Sequence, residues 1–288
     1  MDLALGVVVD VLYAIASLAL ISVGLAIIFG MMRVINLAHG EFMMLGAYTT
    51  VKAAHAGVNI WVAMLVVAPL VVGLIGLVVE RLIIRFLYGR MVDTMLATWG
   101  LSLLFIGLIT TIYGATTESI ATPLGAFAIG AFKYSWYKVF LIVISLVVLA
   151  AVFAVLRYTR AGLIARGTMQ DPNMAAALGV SPSLVYSVTF TVGAALSGLA
   201  GALLAPINTV LPTIGIAYIA KAFITVIGGG AAILTGTATA AILFGAINQV
   251  VSFLSNPVFG EVALLVAAVI LLRLLPQGIT GRFFKGAP

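Results

Sequence analysis

The sequence predicts an all-α protein, a polytopic membrane helix bundle of about eight to nine hydrophobic helices with two broken or re-entrant segments. Three observations carry this expectation. Of 288 residues, 64% are hydrophobic and only 8% charged, whereas a soluble domain carries about 25% charged residues. The apolar residues fall in runs of about 20, the length that crosses a hydrocarbon core. Charges gather at the ends of those runs, and two runs are interrupted by polar or glycine-rich stretches. No segment is long and polar enough for a separate soluble domain, so residues 1–288 read as one transmembrane domain.

The elements follow in order. The N-terminal MDLALGVVVD has acids and no basic region, so it reads as a retained helix rather than a cleaved signal peptide. Val11 to Gly30 is the first span, dotted with Ala14, Ala16, Ser17, Ser22 and Gly24, small residues that let membrane helices approach closely. The stretch MMRVINLAHGEFMMLGAYTT then places Arg33, Asn36, His39, Gly40 and Glu41 between apolar flanks. Ile60 to Val79 is a clean span, closed by Glu80, Arg81, Arg85 and Arg90. Leu96 to Tyr113 is another, with Thr98, Trp99 and Gly100 at its start. Gly114 to Trp136 is a mixed connection, and Val139 to Leu156 spans again.

Arg157 to Pro182 is the longest polar interruption. It holds Arg157, Arg160, Arg166 and Asp171, then a short helical run, Asn173 to Leu178, with Gly179 as its C-cap. Such a knob, flanked by positive charge, suits a cytoplasmic docking surface. A helix from Leu184 to Leu204 follows, and Pro206 and Pro212 mark a turn or short re-entrant piece. Ala217 to Ile227 carries Lys221, expected to snorkel to the cytoplasmic interface. Gly228 to Gly230 break the chain, Ala231 to Phe253 is helical, and Val258 to Leu275 is the last span. Pro276 and a basic tail with Arg282 and Lys285 close the sequence.

The formal net charge is +6. Without interleaved aromatics it reads as a topology signal rather than a nucleic-acid surface. The clusters Arg81/Arg85/Arg90, Arg157/Arg160/Arg166 and Arg273/Arg282/Lys285 all fall on the cytoplasmic side in this scheme, with the N-terminus periplasmic and the C-terminus cytoplasmic. Lys133 and Lys138 fall outside, against the rule. With no cysteine in the chain, disulfides, thiolate metal sites and a cysteine nucleophile are excluded.

Two interrupted segments, Val34 to Tyr48 and Thr225 to Thr239, lie one in each half of the chain, the pattern of a transporter's central pathway. Asn36, His39, Glu41, Thr98, Trp99, Thr225 and Asn248 are the candidate pathway residues. An intramembrane ionisable group is a functional candidate by default; the competing reading puts His39 and Glu41 near the interface, where Arg33 and Glu41 close a helix hairpin, and helix–helix hydrogen bonding is the competing role for each neutral residue. No metalloprotease, nucleophile-elbow or P-loop pattern occurs; Ala195 stands where a nucleophile elbow before Ser197 needs glycine. The chain is therefore expected to be no enzyme, to need no cofactor or metal, and to leave any ATP-driven work to a partner. A passive channel for small neutral solutes is the rival of another class.

Three segments also carry a resemblance. GLAIIFGMMRVINLAHGEFMMLGAY (Gly24–Tyr48), RYTRAGLIARGTMQDPNMAAALGV (Arg157–Val180) and AFITVIGGGAAILTGTATAAIL (Ala222–Leu243) resemble, in order, three segments of the inner-membrane permeases of ABC importers for branched-chain amino acids. The resemblance covers nearly the whole chain. It implies a bacterial inner-membrane, multi-pass subunit working in membrane lipid by alternating access. The implied partners are a second homologous permease subunit in a heterodimer, two ABC ATPase subunits and a periplasmic substrate-binding protein; no nucleic acid is implied. It also assigns ATPase docking to Asp171, Pro172, Ala175, Ala176, Ala177, Leu178 and Gly179. Where the usual docking motif has glutamate before Ala-Ala, this chain has Asn173-Met174, and Asp171 is the substitute. Asp93–Leu104 looks more like the urea and short-amide permeases of the same family, and YIAKAF around Lys221 more like the amino-acid ones. The amino-acid class, the larger, is the one expected.

Overall fold

The computed structural model of the chain describes residues 2–129, 132–230 and 232–281; Arg282 and Lys285 lie outside the described residues, as does the side chain of Lys133. Helices α1 (Asp2–Met32) and α2 (His39–His55) are followed by α3 (Ile60–Val62), a π-helical turn (Ala63–Val67) and α4 (Ala68–Leu82), which run on as one span. Next come α5 (Met91–Tyr113), strands β1 (Ala126–Ile129) and β2 (Phe132–Ser135), and α6 (Trp136–Tyr158). The short α7 (Arg160–Gln170) and α8 (Pro172–Ala177) precede α9 (Pro182–Leu204), α10 (Ile214–Gly229), α11 (Ile233–Leu254), α12 (Pro257–Leu274) and α13 (Gly278–Gly281).

Among the described residues, 7 helices are long and apolar enough to cross a membrane. Among the described residues, the shorter apolar α10 brings the apolar helices to eight, within the expected range; α10 and the more polar α2 each follow a break, at 205–213 and 33–38. Helix is the physical default here, because in hydrocarbon each backbone N–H and C=O must be satisfied within its own segment.

Contacts divide the chain into two compact units. The larger comprises Val23–Ala121 and Ala150–Ala220. Its core is built on α2, α4, α5 and α9, with Phe42 edge-on to Phe105 and Phe190, ring centroids 5.8 and 6.0 Å apart. Small residues let α2 and α9 meet backbone to backbone: a Cβ on Gly46 would lie 2.1 Å from the Gly198 carbonyl oxygen. The chain leaves α1 through Arg33, whose φ of 51° is left-handed, a conformation non-glycine residues enter only under constraint. In the second break, Val210 and Glu118 exchange both backbone hydrogen bonds at 2.9 Å.

The smaller unit comprises Met1–Ser22, Thr122–Leu149 and Lys221–Pro288. Its core includes Leu18, Phe244, Leu264 and Leu271. Ser145 donates to the Ala16 carbonyl at 2.8 Å. Lys138 pairs with Asp10 at 2.7 Å, so the lysine that ran against the charge rule is neutralised by an acid of α1. β1 and β2 pair antiparallel, Ala126 opposite Ser135, inside the segment expected as a mixed connection.

Candidate functional site

The break between α1 and α2 gathers four of the seven candidate pathway residues. Asn36, His39, Glu41 and Thr98 are all buried in the larger unit. Asn36 Oδ1 accepts from the Ala38 amide at 3.0 Å, an Asx-type turn that steers the chain into α2. Thr98 of α5 supports the same turn, its Oγ1 accepting from the Leu37 amide at 3.0 Å. Ser197 of α9 donates to the Gly193 carbonyl at 2.8 Å, and its Oγ stands 3.1 Å from His39 Nδ1. A hydroxyl has one proton, so in this arrangement the His39 Nδ1–H donates to Ser197. The Ser102 side chain of α5 lies beside the Glu41 carboxyl.

Two polar atoms of this cluster, Asn36 Nδ2 and Glu41 Oε2, are buried with no partner. Buried polar atoms are almost always paired, and each one left open costs about 1–3 kcal/mol. The cluster thus leaves one amide donor and one carboxyl oxygen unpaired among the described residues.

The remaining candidates are placed elsewhere. Trp99 is 56% exposed, one step around α5 from buried Thr98. Thr225 and Asn248 belong to the smaller unit, where Thr225 donates to the Lys221 carbonyl in its own helix at 2.8 Å. Lys221 pairs with Glu261 in the first turns of α12 at 2.7 Å, the opposite end of that helix from Arg273. This corrects the expected placement of Lys221 on the side of the Arg273 cluster: a nearby carboxylate, not a basic interface, receives it.

The glycine break also differs from expectation. α10 continues through Gly229, and only the turn to α11 interrupts it. There Thr280 Oγ1 donates to the Gly229 carbonyl at 2.6 Å and accepts from the Ala232 amide at 3.1 Å. Gly229 packs against Gly236, and Gly230 against Gln277 and Gly278, so close that a Cβ would overlap backbone. These glycines serve backbone-to-backbone packing.

The Arg157–Pro182 segment is more ordered than its sequence suggested, with α7 ahead of the expected short helix. Thr159 caps α7, accepting from the Gly162 amide at 3.1 Å. Asp171 caps α8, its Oδ1 accepting from the Asn173 and Met174 amides at 2.9 and 3.0 Å. Pro172 stands at the first position, where its missing N–H costs nothing. Gly179, at φ 86°, ends the helix, and the Val180 amide reaches back to the Ala175 carbonyl at 3.0 Å. Ala175 is buried, while Met174 and Leu178 are 59% and 78% exposed. The result is a small helix anchored on one side and apolar on its free side. Asp171, expected as a stand-in for a docking glutamate, has its carboxylate engaged by the backbone.

Sequence reasoning missed Glu80. The sequence reads it only as one of the charges closing a span, and it is fully buried. Ser187 of α9 donates to its Oε2 at 2.6 Å and Tyr88 donates to its Oε1. Burial first, and the carboxylate second, push the Tyr88 phenol above its ordinary range, which keeps the donor protonated. The signal was the lone acid inside a basic cluster.

The sequence model of the family described as branched-chain amino acid transport system / permease component matches residues 7–275. The chain is 26% identical over 280 residues to the high-affinity branched-chain amino acid transport system permease protein LivH of Escherichia coli (strain K12), covering 92% of this chain and 91% of that protein. It is 25% identical over 281 residues to the corresponding permease protein BraD of Pseudomonas aeruginosa, with the same coverage. It is 27% identical over 287 residues to the probable branched-chain amino acid transport permease protein LivH of Methanocaldococcus jannaschii, covering 93% and 90%. No solved structure matches the chain.

Proposed function

The chain belongs to the permease component family of branched-chain amino acid transport systems, and from that premise we propose that it is the membrane subunit of an ATP-driven importer of branched-chain or other hydrophobic amino acids. It is a multi-pass membrane protein of a transport family, and the energy comes from separate ATPase subunits. Both compact units form one permease domain in the inner membrane, beside a second homologous permease and below a periplasmic binding protein. The N-terminus is periplasmic and the C-terminus cytoplasmic.

The observation that carries the substrate reading is the open pair at the α1–α2 break. A zwitterion needs an acceptor for its ammonium and a donor for its carboxylate, and Glu41 Oε2 and Asn36 Nδ2 are one of each. Urea or a short amide lacks the ammonium and does not need a buried carboxylate. The supported mechanism is alternating access: ATP binding closes the ATPase dimer, segment 157–182 transmits the motion, and helices around the breaks exchange one packing for another. Docking is assigned to Asp171–Gly179, with Met174 and Leu178 as the apolar contact.

Reconstitution with the ATPases and binding protein tests both parts. Glu41→Gln lowers uptake of leucine at least tenfold with ATPase association intact. Deleting Asn173–Leu178 abolishes co-purification of the ATPases with membrane insertion unchanged. Uptake into vesicles without ATPases or nucleotide would instead establish a passive channel.

A further inference from the structure

A cavity of about 250 Å³ lies between α1, α6, α7 and α9, wholly within the larger unit. Its walls include Ile27 of α1, Val155 of α6, Ala165 of α7 and Val192 of α9. Thr189 is the single polar side chain in the lining, and its hydroxyl donates to the Val185 carbonyl of its own helix at 2.7 Å. The cavity lining therefore offers an occupant no free side-chain donor. A zwitterionic solute would lose water around both charges and gain nothing back; a hydrocarbon chain gives up nothing. Val155, Val188 and Val192 are 51%, 54% and 44% exposed, so the cavity opens on the outer surface of α6 and α9. Both helices are long and apolar enough to cross a membrane.

Positive charge stands at the edge of this opening. Arg157 follows Leu156 of the lining and Arg160 precedes Ala161. Arg166 Nε donates to the carbonyl of Gly162, another lining residue, at 3.4 Å. The α6–α7 turn that brings them together is tight, since a Cβ on Gly162 would lie 2.3 Å from the Val155 carbonyl oxygen. None of the three arginines is in an ion pair among the described residues, and residues 150–170 contain no acid. Guanidinium groups bind phosphate oxygens in pairs. Basic pockets beside membrane helices take anionic headgroups.

We propose that this cleft binds one anionic phospholipid, an acyl chain filling the cavity and the phosphodiester held by Arg157, Arg160 and Arg166. The site uses none of the candidate pathway residues and none of Asp171–Gly179, and its three arginines lie in the segment proposed to transmit the motion; lipid binding is read without ATPase or transport, so its failure is distinguishable from failure of that reading. Its occupant touches α7 directly, which exposes the 157–182 segment to the composition of the bilayer.

The test is electron paramagnetic resonance of the full chain in bilayers, with acyl-chain spin-labelled phosphatidylglycerol and phosphatidylcholine as probes. Phosphatidylglycerol is expected to show the larger motionally restricted fraction. Each of Arg157→Gln, Arg160→Gln and Arg166→Gln lowers that preference about fivefold, the effect of one basic residue near a headgroup. Ala165→Phe, which fills the cavity and leaves the arginines in place, removes the preference. Helix content and melting midpoint of each variant confirm that it is folded. Equal restriction of the two lipids by the unaltered chain would overturn the proposal. So would a preference that survives Ala165→Phe, or one that disappears once a second permease subunit is bound, since that would give the cavity to a protein partner.

Discussion

Asp171 shows how much one side chain can settle. Its carboxylate accepts two amides at the start of a helix only 6 residues long, and helices that short do not hold themselves together. Removing the cap costs about 1 kcal/mol. Asp171→Ala is therefore expected to unprotect the Asn173 and Met174 amides in hydrogen exchange and to weaken ATPase binding, while Asp171→Asn, which still caps, stays near the parent on both. If asparagine fails as badly as alanine, the charge itself is needed and the capping account is wrong. The cap was legible, since Asp-Pro ahead of Asn-Met-Ala-Ala is a helix start written in local chemistry. Glu80 was not, because its partner Ser187 lies 107 positions away and nothing local distinguishes a buried carboxylate from a solvated one.

At the scale of elements, the spans were readable and the pieces between them less so. A run of about 20 apolar residues has one stable form in lipid, which is why α5, α6, α9 and α12 begin and end close to expectation. The β1–β2 hairpin and α7 were invisible, because neither has a strong apolar period and both depend on neighbours. The glycine break was legible, but what closes it was not: Thr280, near the far end of the chain, donates to the Gly229 carbonyl. Gly230 has φ 83°, and its Cβ would stand 2.4 Å from the Gln277 carbonyl oxygen; Gly57 has φ 90° with open space around it. Gly57→Ala should cost about 1 kcal/mol of strain alone, and Gly230→Ala distinctly more, with α13 displaced. Thermal unfolding in detergent compares them, and equal losses would show that the α10–α11 turn tolerates separation from α13.

For the molecule as a whole, composition alone announced a membrane protein, and order of motifs announced the family. The sequence could not announce which spans the chain keeps for itself. The spans in α1 and α9 are each 67% buried, against 22% for α6 and 17% for the last span, a division made by contacts between distant segments. Within the larger unit, Glu118 ties two connections and the end of α2 together. It exchanges backbone hydrogen bonds with Val210 and pairs with Lys52 at 2.6 Å. Glu118 and Val210 should be the slowest-exchanging amides outside the helices, and Glu118→Ala should quicken Val210 as well as its own amide; exchange as fast as in neighbouring coil would contradict this. Two irregular connections and the last turn of α2, stitched at one rim, behave as a clasp. Whatever widens in this protein during a cycle is then expected to pivot about that rim, and a cross-link across it should leave turnover unharmed.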